Sequence, residues 1–214
     1  MRTTFGLSLR AKGWVMVEKI AIPNYPMLTQ CPIVLIGSYV DGVANFATIG
    51  AFGVVCEGPL LYASLKDSHH TTSGVRATGC FSVNVPSPAI MRETDYCGMI
   101  SGREVDKSAV FETFDHPSCL APMARECHLN ILRKVVDSKV MSGFEVFFGE
   151  IVCTFMDLDC LTDGEPDPSK IDPLLGIGRE YFALGAHVGG VLRAGRELVE
   201  PLDRGVPHAS AAKA

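Results

Sequence analysis

The sequence predicts a mainly β domain, either a β-barrel or a sandwich, with a few helical insertions. Short runs rich in β-branched and aromatic residues recur at close spacing along most of the chain. Turn signals such as Asp41-Gly42 separate these runs. Only two stretches, near residues 71–78 and 89–100, are typical of helices. Strands at short intervals with few helices favour a barrel or a sandwich.

The first half of the domain contains four predicted strands. The run 32–39 is rich in β-branched residues, and the run 45–52 resumes the sheet with small residues interleaved. A third strand is expected at 60–65, and strict apolar–polar alternation at 81–86 predicts a half-exposed strand. The small residues within 45–52 weaken packing, but they allow a flat group to approach the backbone closely.

The two predicted helices lie on either side of the fourth strand. Ser68 or Thr71 can cap the first helix, which is expected to continue to about Thr78 and to end at Gly79. The second helix is expected over residues 89–100. A polar loop and irregular segments are then expected as far as Pro122.

The second half of the domain adds two strands, at 126–136 and 144–156. Gly149 predicts a β-bulge in the second of them. The stretch 162–173 is so rich in Asp, Pro and Gly that it predicts an unstructured loop.

One domain with two extensions accounts for the 214 residues. We expect an N-terminal extension at 1–19, the domain at 20–199 and a flexible tail at 200–214. The extension has no apolar core long enough for a signal peptide. No apolar run reaches the roughly 18 residues that a membrane span needs. We therefore expect a cytoplasmic protein with no membrane partner.

Charge and hydrophobic content restrict the partners. The formal net charge of −5 opposes a nucleic-acid partner, which usually requires a concentrated basic face. The hydrophobic share of 47% is high, and a subunit interface commonly buries such an excess. We expect a homodimer.

The eight cysteines suggest neither a metal site nor a disulfide framework. No pair has the short spacing of zinc or iron–sulfur ligands. Several, such as Cys31 and Cys153, lie in apolar strand-like runs, where cysteine behaves as a small buried hydrophobic residue. We therefore expect reduced, structural thiols.

A polar stretch between the third strand and the first helix is the candidate binding site. It places hydroxyl groups, a cation and a helix start within nine residues, at Ser64, Lys66, His70, Thr71 and Thr72. A phosphate monoester carries about −1.5 to −2 charges and is held best by such groups. The same residues also fit a solvated loop with an ordinary capping threonine, and the residues alone leave both readings open.

Other chemistries find less support. The nucleophile elbow of hydrolases, G-x-S-x-G, is absent, and the segment GIGREY lacks the glycine order of a dinucleotide-binding turn. His69 and His70 have no carboxylate or cysteine at a useful spacing for a metal ion. His128, on an alternating strand, is more typical of a core or rim position than of a catalyst.

Several motifs, taken in order, point to a family. The segment NFATIGAFGVVCEGPLLYASL begins at Asn45, and K-x-x-H-H-T follows from Lys66. GCFSVNVP and DYCG-x-x-SGREVDK come next, and the later segments ECHLNILRKV, FFGEIV and REYFALG also fit. This series resembles the flavin reductase-like FMN-binding split-barrel family, and in particular its flavoredoxin-like branch. The resemblance covers roughly residues 25–187.

The resemblance implies a Greek-key β-barrel, the FMN-binding split barrel, which binds FMN non-covalently near a homodimer interface. The residues that would line the flavin ring are Asn45, Ala47, Thr48, Ile49, Ala51 and Phe52. Those along the ribityl chain and the phosphate are Ser64, Leu65, Lys66, His70, Thr71 and Thr72. Lys107 would reach the flavin from its loop.

This chain departs from the commonest family pattern at two positions. Lys66 stands where many members carry Arg, and His70 stands where many carry Tyr. Lysine keeps the charge but loses the planar fork of arginine. The departures therefore concern the affinity for FMN more than the identity of the cofactor.

The resemblance implies an FMN-binding oxidoreductase. Such an enzyme takes electrons from NAD(P)H and passes them to flavin, ferric or protein acceptors. The alternative is a flavoredoxin-type electron-transfer protein that receives electrons from a redox protein and does not turn over NAD(P)H itself. A flavin-free scaffold is a third possibility. No catalytic side chain is assigned, and His128 is only a candidate for shaping the open face of the ring.

Overall fold

The computed structural model describes residues 29–191, together with residues 19, 21, 193 and 194. The described residues fall into two units, one ending at residue 183 and the other beginning at residue 184. The elements and the site described below all belong to the first unit. The predicted extension and tail lie almost entirely outside the described residues, so their boundaries remain predictions.

Strands dominate the described residues. In chain order they are β1 (Cys31–Pro32), β2 (Val34–Val40), β3 (Val43–Ile49), β4 (Phe52–Val54), β5 (Leu60–Lys66), β6 (Cys80–Val85), β7 (Thr113–His116), β8 (Cys119–Ala124), β9 (Leu129–Met141), β10 (Phe144–Met156), β11 (Leu161–Thr162), β12 (Glu165–Pro166), β13 (Leu175–Ile177) and β14 (Glu180–Phe182). The helices are α1 (His70–Thr78), α2 (Met91–Met99) and α3 (Pro168–Ile171).

Seven strands form one curled antiparallel sheet in the order β3-β2-β6-β9-β10-β5-β4. Its inner face is filled by aliphatic and aromatic side chains, among them Ile36, Leu65, Val83 and Phe147. This curled sheet confirms the predicted split-barrel class. In the strand order, β3 is one edge of the sheet and β5 lies next to the other edge, and these two strands carry most of the predicted site.

The helix at residues 70–78 is confirmed, but its start differs from the prediction. His69 occupies the N-cap position without a side-chain hydrogen bond, so neither Ser68 nor Thr71 caps the helix. The Thr71 hydroxyl is instead engaged by Asn45 across the site. Gly79 ends the helix at φ 65°, a left-handed conformation that glycine adopts without strain.

The long hairpin β9–β10 contains the predicted bulge. The pairing register shifts between Phe148 and Gly149. A Cβ atom at Gly149 would lie 2.8 Å from the ring of Phe81, so the close packing of β6 explains the glycine. The predicted strand 45–52 is in fact two strands, β3 and β4, because the chain leaves the sheet at residues 50–51.

Two segments expected to be irregular are ordered. The segment before Pro122 forms the hairpin β7–β8. The stretch 162–173 was predicted to be unstructured, but it forms the end of the β11–β12 hairpin and the short helix α3. Asp167 caps α3 by accepting from the Ser169 amide at 2.9 Å. The turn-forming residues therefore build a compact turn here rather than a loose loop.

The expectation that the thiols are reduced is wrong for two cysteines. Cys80 at the start of β6 and Cys119 at the start of β8 form a disulfide. Because β8 packs on β6, residues 39 apart in sequence become neighbours, which cysteine spacing alone does not reveal. The remaining cysteines of the described residues are free thiols.

Arg133 on β9 is a cation inside the barrel. Its side chain is fully buried, and Nη2 donates to the Pro59 carbonyl at 3.3 Å. Nε and Nη1 have no partner among the described residues, and burial lowers the pKa of the guanidinium to about 10.

In the described part of the chain, no helix is long and apolar enough to cross a membrane. The same residues contain no cluster of three or more potential metal ligands.

Candidate flavin site

A polar cleft lies where β3, the start of α1 and the loop after α2 meet. It has two adjoining chambers of about 160 and 330 Å³, which share Asn45, His70, Gly102 and Lys107. Together they fall within the range of about 300–1,000 Å³ that is usual for small-molecule sites. The first chamber is lined by Asn45, Ala47, Thr48, His69, His70, Thr71, Cys97, Gly98, Met99, Ile100, Ser101, Gly102 and Lys107.

Asn45 and Thr71 join the sheet to the helix within this cleft. Asn45 Nδ2 donates to Thr71 Oγ1 at 2.6 Å, and both side chains are buried. The backbone carbonyl of Thr71 accepts from Ser38 Oγ at 3.0 Å. Because the Thr71 hydroxyl accepts from Asn45, its own proton remains available to a ligand.

The start of α1 supplies positive electrostatic potential. The first amides of a helix lack intrahelical acceptors and carry a partial positive charge. Lys66 ends β5 immediately before this helix, and its side chain is exposed. Its carbonyl accepts from the His69 amide at 2.9 Å and from Thr72 Oγ1 at 2.8 Å, so strand end and helix start form one tight turn.

Two adjacent histidines line the first chamber. The Nδ1 atoms of His69 and His70 are buried, and neither has a hydrogen-bond partner among the described residues. Burial lowers the pKa of both imidazoles. The charges of Lys66 and Lys107 lower the pKa of His69 further.

The remaining charges around His70 are of mixed sign. Arg103 and Lys107 add to the lowering of the His70 pKa, whereas Asp41 opposes it. Both imidazoles are therefore neutral near pH 7. The second chamber, which His70 also lines, holds charges of both signs, since Glu104 and Asp106 line it as well.

Lys107 is a buried ammonium that holds the cleft together. Its side chain is 3% exposed, and Nζ donates to the carbonyls of Phe46 at 2.5 Å, Cys97 at 3.1 Å and Ile100 at 3.1 Å. These bonds use all three of its donors. Burial lowers the pKa of Lys107. Lys107 therefore ties the end of α2 to β3 and places a positive charge beside the cleft.

Cys97 contributes a buried thiol to the same chamber. Burial raises its pKa to about 11, and the charge of Lys107 only partly opposes this. The side chain is therefore a neutral thiol near pH 7, and not a nucleophile.

The structure brings six of the predicted site residues to the cleft, namely Asn45, Ala47, Thr48, His70, Thr71 and Lys107. Ile49 and Leu65 point into the core, and Thr72 is buried against the Lys66 carbonyl. The others, away from both chambers, are Ala51, Phe52, Ser64 and Lys66. For all thirteen residues, contact with a flavin remains a prediction.

His128 lies outside both chambers. Its Nδ1 is 2.8 Å from the carboxylate of Asp157, at the far ends of β9 and β10. No described contact supports a role for His128 at the open face of the cleft.

The wall of the cleft opposite β3 contains two glycines, Gly98 and Gly102. They belong to a sequence motif, but the chemistry of single residues did not reveal their role. A Cβ atom at Gly102 would lie 2.0 Å from Asn45 Oδ1, and one at Gly98 would lie 3.2 Å from Thr48 Cβ. Both glycines belong to the segment DYCGMISG. They let the loop after α2 approach β3 more closely than any side chain would allow.

A curled seven-stranded sheet with a polar cleft at the start of its first helix defines a split-barrel protein. The chain belongs to the family described as "Flavin reductase like domain", whose sequence model matches residues 28–185. No curated protein sequence matches the chain.

Solved structures agree with this assignment. Flavoredoxin from Methanosarcina acetivorans is 37% identical with a TM-score of 0.81, covering 85% of this chain and 100% of its own. Flavoredoxin of Desulfovibrio vulgaris (Miyazaki F) is 29% identical with a TM-score of 0.78, covering 83% and 100%. An FMN-binding protein from Thermus thermophilus is 18% identical with a TM-score of 0.68, covering 86% and 98%, and shares the fold.

Proposed function

We propose that this chain binds FMN non-covalently in the cleft and acts as a flavin-dependent oxidoreductase. One observation carries the proposal. At the start of α1, Thr71, His69 and His70 line one chamber of a flavin reductase-like fold. The Thr71 hydroxyl retains its proton, and the Nδ1 atoms of the two imidazoles have no partner among the described residues.

The donor set fits a phosphate group. A phosphate monoester carries about −1.5 to −2 charges and several strong acceptor oxygens. The Thr71 proton supplies a donor, as do the amides at the helix start other than those of His69 and Thr72, which already bind carbonyls. Arg103 supplies charge from the lining of the second chamber, and Lys66 supplies charge from outside both chambers. No acidic residue lies in the first turn of α1 to oppose an anion.

The opposite wall fits a flat ring. Ala47 and Thr48 on β3 face the glycine-containing loop that follows α2. Gly98 and Gly102 bring the backbone here close against Thr48 and Asn45, and Met99 and Ile100 line the same chamber. Lys107 is saturated by three carbonyls, so it would act on a bound ring through its charge and not through a hydrogen bond.

When bound, FMN supplies both hydride and single-electron chemistry, and the protein contributes binding, orientation and electrostatics. The chain's own residues would hold the phosphate and shape the first chamber, and Lys107 keeps a fixed positive charge beside that chamber. The charge of Lys107 favours negative charge on a ring bound there.

We propose NAD(P)H as the electron donor and flavin, ferric or protein acceptors as the destination. The second candidate is a flavoredoxin-type electron carrier that receives electrons from a redox protein. The 37% identity to flavoredoxin from Methanosarcina acetivorans favours it.

We also propose a homodimer in the cytoplasm. Exposed apolar side chains on the β9–β10 hairpin support the dimer, and they are Val136, Val140, Met141 and Phe144. An isolated chain would leave this surface in water.

Rapid mixing of the FMN-loaded protein with NADH or NADPH tests the choice between the two functions. Fast loss of the oxidised flavin absorbance supports the reductase, whereas its persistence supports the carrier. A purified protein that fails to bind added FMN would overturn both.

A further inference from the structure

The imidazoles of His69 and His70 lie at the start of α1 and line the cleft. His69 is the N-cap residue and His70 the first residue of the helix, yet neither caps it through its side chain. Both Nδ1 atoms are shielded from solvent without a hydrogen-bond partner. Leaving a buried polar atom unpaired costs free energy, so such atoms usually mark a missing partner.

The charges that face the pair come from three elements. Lys66 approaches from the end of β5, and Arg103 and Lys107 approach from the loop after α2. Asp41, in the turn between β2 and β3, is the acidic residue near His70. Among these groups the cations outnumber the acid, which favours the neutral form of the imidazoles in the free protein. Glu104 and Asp106 line the second chamber together with Asp41.

We propose that His69 and His70 act as a proton-accepting pair that binds the flavin phosphate as a dianion, with uptake of solvent protons as FMN binds. This inference rests on the proposed FMN site. It adds His69 to that site and assigns the pair a role in selecting phosphorylated flavin. The step is a proton transfer without oxidation or reduction: a bond from the proton to water or a buffer acid breaks, and an N–H bond forms on an imidazole nitrogen.

The direction of the linkage follows from the charges. A dianion beside the pair opposes the effect of the three cations and raises the pKa of each imidazole. Because the bound pKa exceeds the free pKa, affinity for FMN increases as the pH falls through that interval. The affinity for FMN stops increasing at about pH 6, where the phosphate itself gains a proton.

Riboflavin provides the ligand control. It carries the same ring without the phosphate, so its binding should take up no protons at this pair. Each fully linked proton changes the affinity for FMN by up to about tenfold per pH unit.

Isothermal titration calorimetry in two buffers of different ionisation enthalpy, at about pH 7, measures proton uptake directly. The proteins are wild type, His69→Gln, His70→Gln and the double variant. His116→Gln is the matched control, because His116 lies on β7 outside both chambers. Circular dichroism checks the fold of each variant.

We expect proton uptake with FMN, none with riboflavin, and a loss of most of the uptake in the double variant but not in His116→Gln. FMN binding without proton uptake, or uptake unchanged in the double variant, would overturn the inference and leave the proposed function standing. Absence of FMN binding to the wild type would instead overturn the proposed function. If the double variant does not fold, the single variants and the riboflavin comparison still decide the question.

Discussion

Asn45 on β3 donates a hydrogen bond to the hydroxyl of Thr71 on α1, with 2.6 Å between Nδ2 and Oγ1. This bond fixes the first helix turn against the sheet, and it orients the remaining proton of Thr71. The helix start is therefore arranged for a ligand by a contact between residues 26 apart in sequence.

Removing the two proposed phosphate contacts should weaken FMN binding. Thr71→Ala together with Lys66→Ala removes one hydroxyl donor and one charge, which predicts a loss of about tenfold to a hundredfold in affinity. Fluorescence titration with FMN measures it. Thr71→Ser, which keeps the hydroxyl, should retain most of the affinity, as should Lys134→Ala at an exposed position of β9. Unchanged affinity in the double variant would refute the phosphate assignment.

Lys107→Met should destabilise the fold as well as the site. The substitution leaves the carbonyls of Phe46, Cys97 and Ile100 without their donor, and buried unpaired acceptors predict a loss of about 3 kcal/mol in the free energy of unfolding. Urea unfolding measures this loss. Lys139→Met, at an exposed position of β9, is the control. Equal stability of the two variants would show that Lys107 is not a structural clamp.

Arg133→Met should be neutral or stabilising. The charge of Glu150 only partly offsets the burial of the guanidinium. Replacing such a buried charge by an apolar side chain of similar length is often neutral or favourable by about 1–4 kcal/mol. Urea unfolding of the variant beside the wild type measures the difference. A marked loss of stability would mean that the guanidinium has a partner beyond the Pro59 carbonyl.

Gly102→Ala should close the cleft. The new methyl group would collide with Asn45 Oδ1, which lies 2.0 Å from the ideal Cβ position. Either the loop or Asn45 must move, so FMN affinity should fall by about tenfold or more. Gly58→Ala is the matched control, because its Cβ would meet only Cys56 Sγ at 3.5 Å. Equal affinity for FMN in both variants would show that the close approach of Gly102 to Asn45 does not shape the binding site.

Breaking the Cys80–Cys119 disulfide should lower the free energy of unfolding. A closed loop of 39 residues predicts a contribution of about 4 kcal/mol through the unfolded chain. Urea unfolding with and without a reductant measures it, and the mass of the intact protein after thiol alkylation counts the free cysteines. Cys56→Ala, at an exposed free thiol, should change little. Alkylation of all eight cysteines without a reductant would contradict the disulfide.

Alternation and turn residues were sufficient to predict six of the strands in the seven-stranded sheet, because apolar positions on one face of a strand must reach the core. The hairpin β7–β8 escaped this pattern, since Pro122 interrupts β8 and proline usually argues against a strand. The strand tolerates this proline, whose carbonyl accepts from Ser82 Oγ on the neighbouring β6.

The candidate site was only partly predictable. The order of the motifs predicted that Asn45, Thr71 and Lys107 belong to the site, and all three line the cleft. The sequence could not show that Lys107 binds the Phe46 carbonyl, because the two are 61 residues apart and no local pattern records such a contact. The unpaired state of His69 is likewise a property of the packed structure.

The short step between β3 and β4 has a mechanical consequence for the whole sheet. These strands form its two outer edges, yet only residues 50 and 51 separate Ile49 from Phe52. Three fully extended residue steps span at most about 11 Å, so the edges cannot move further apart there. A covalent tether, and not hydrogen bonding between the edges, thus limits how far the barrel can open at this point. Glycines inserted between residues 50 and 51 should lengthen this connection and let β3 and β4 move further apart.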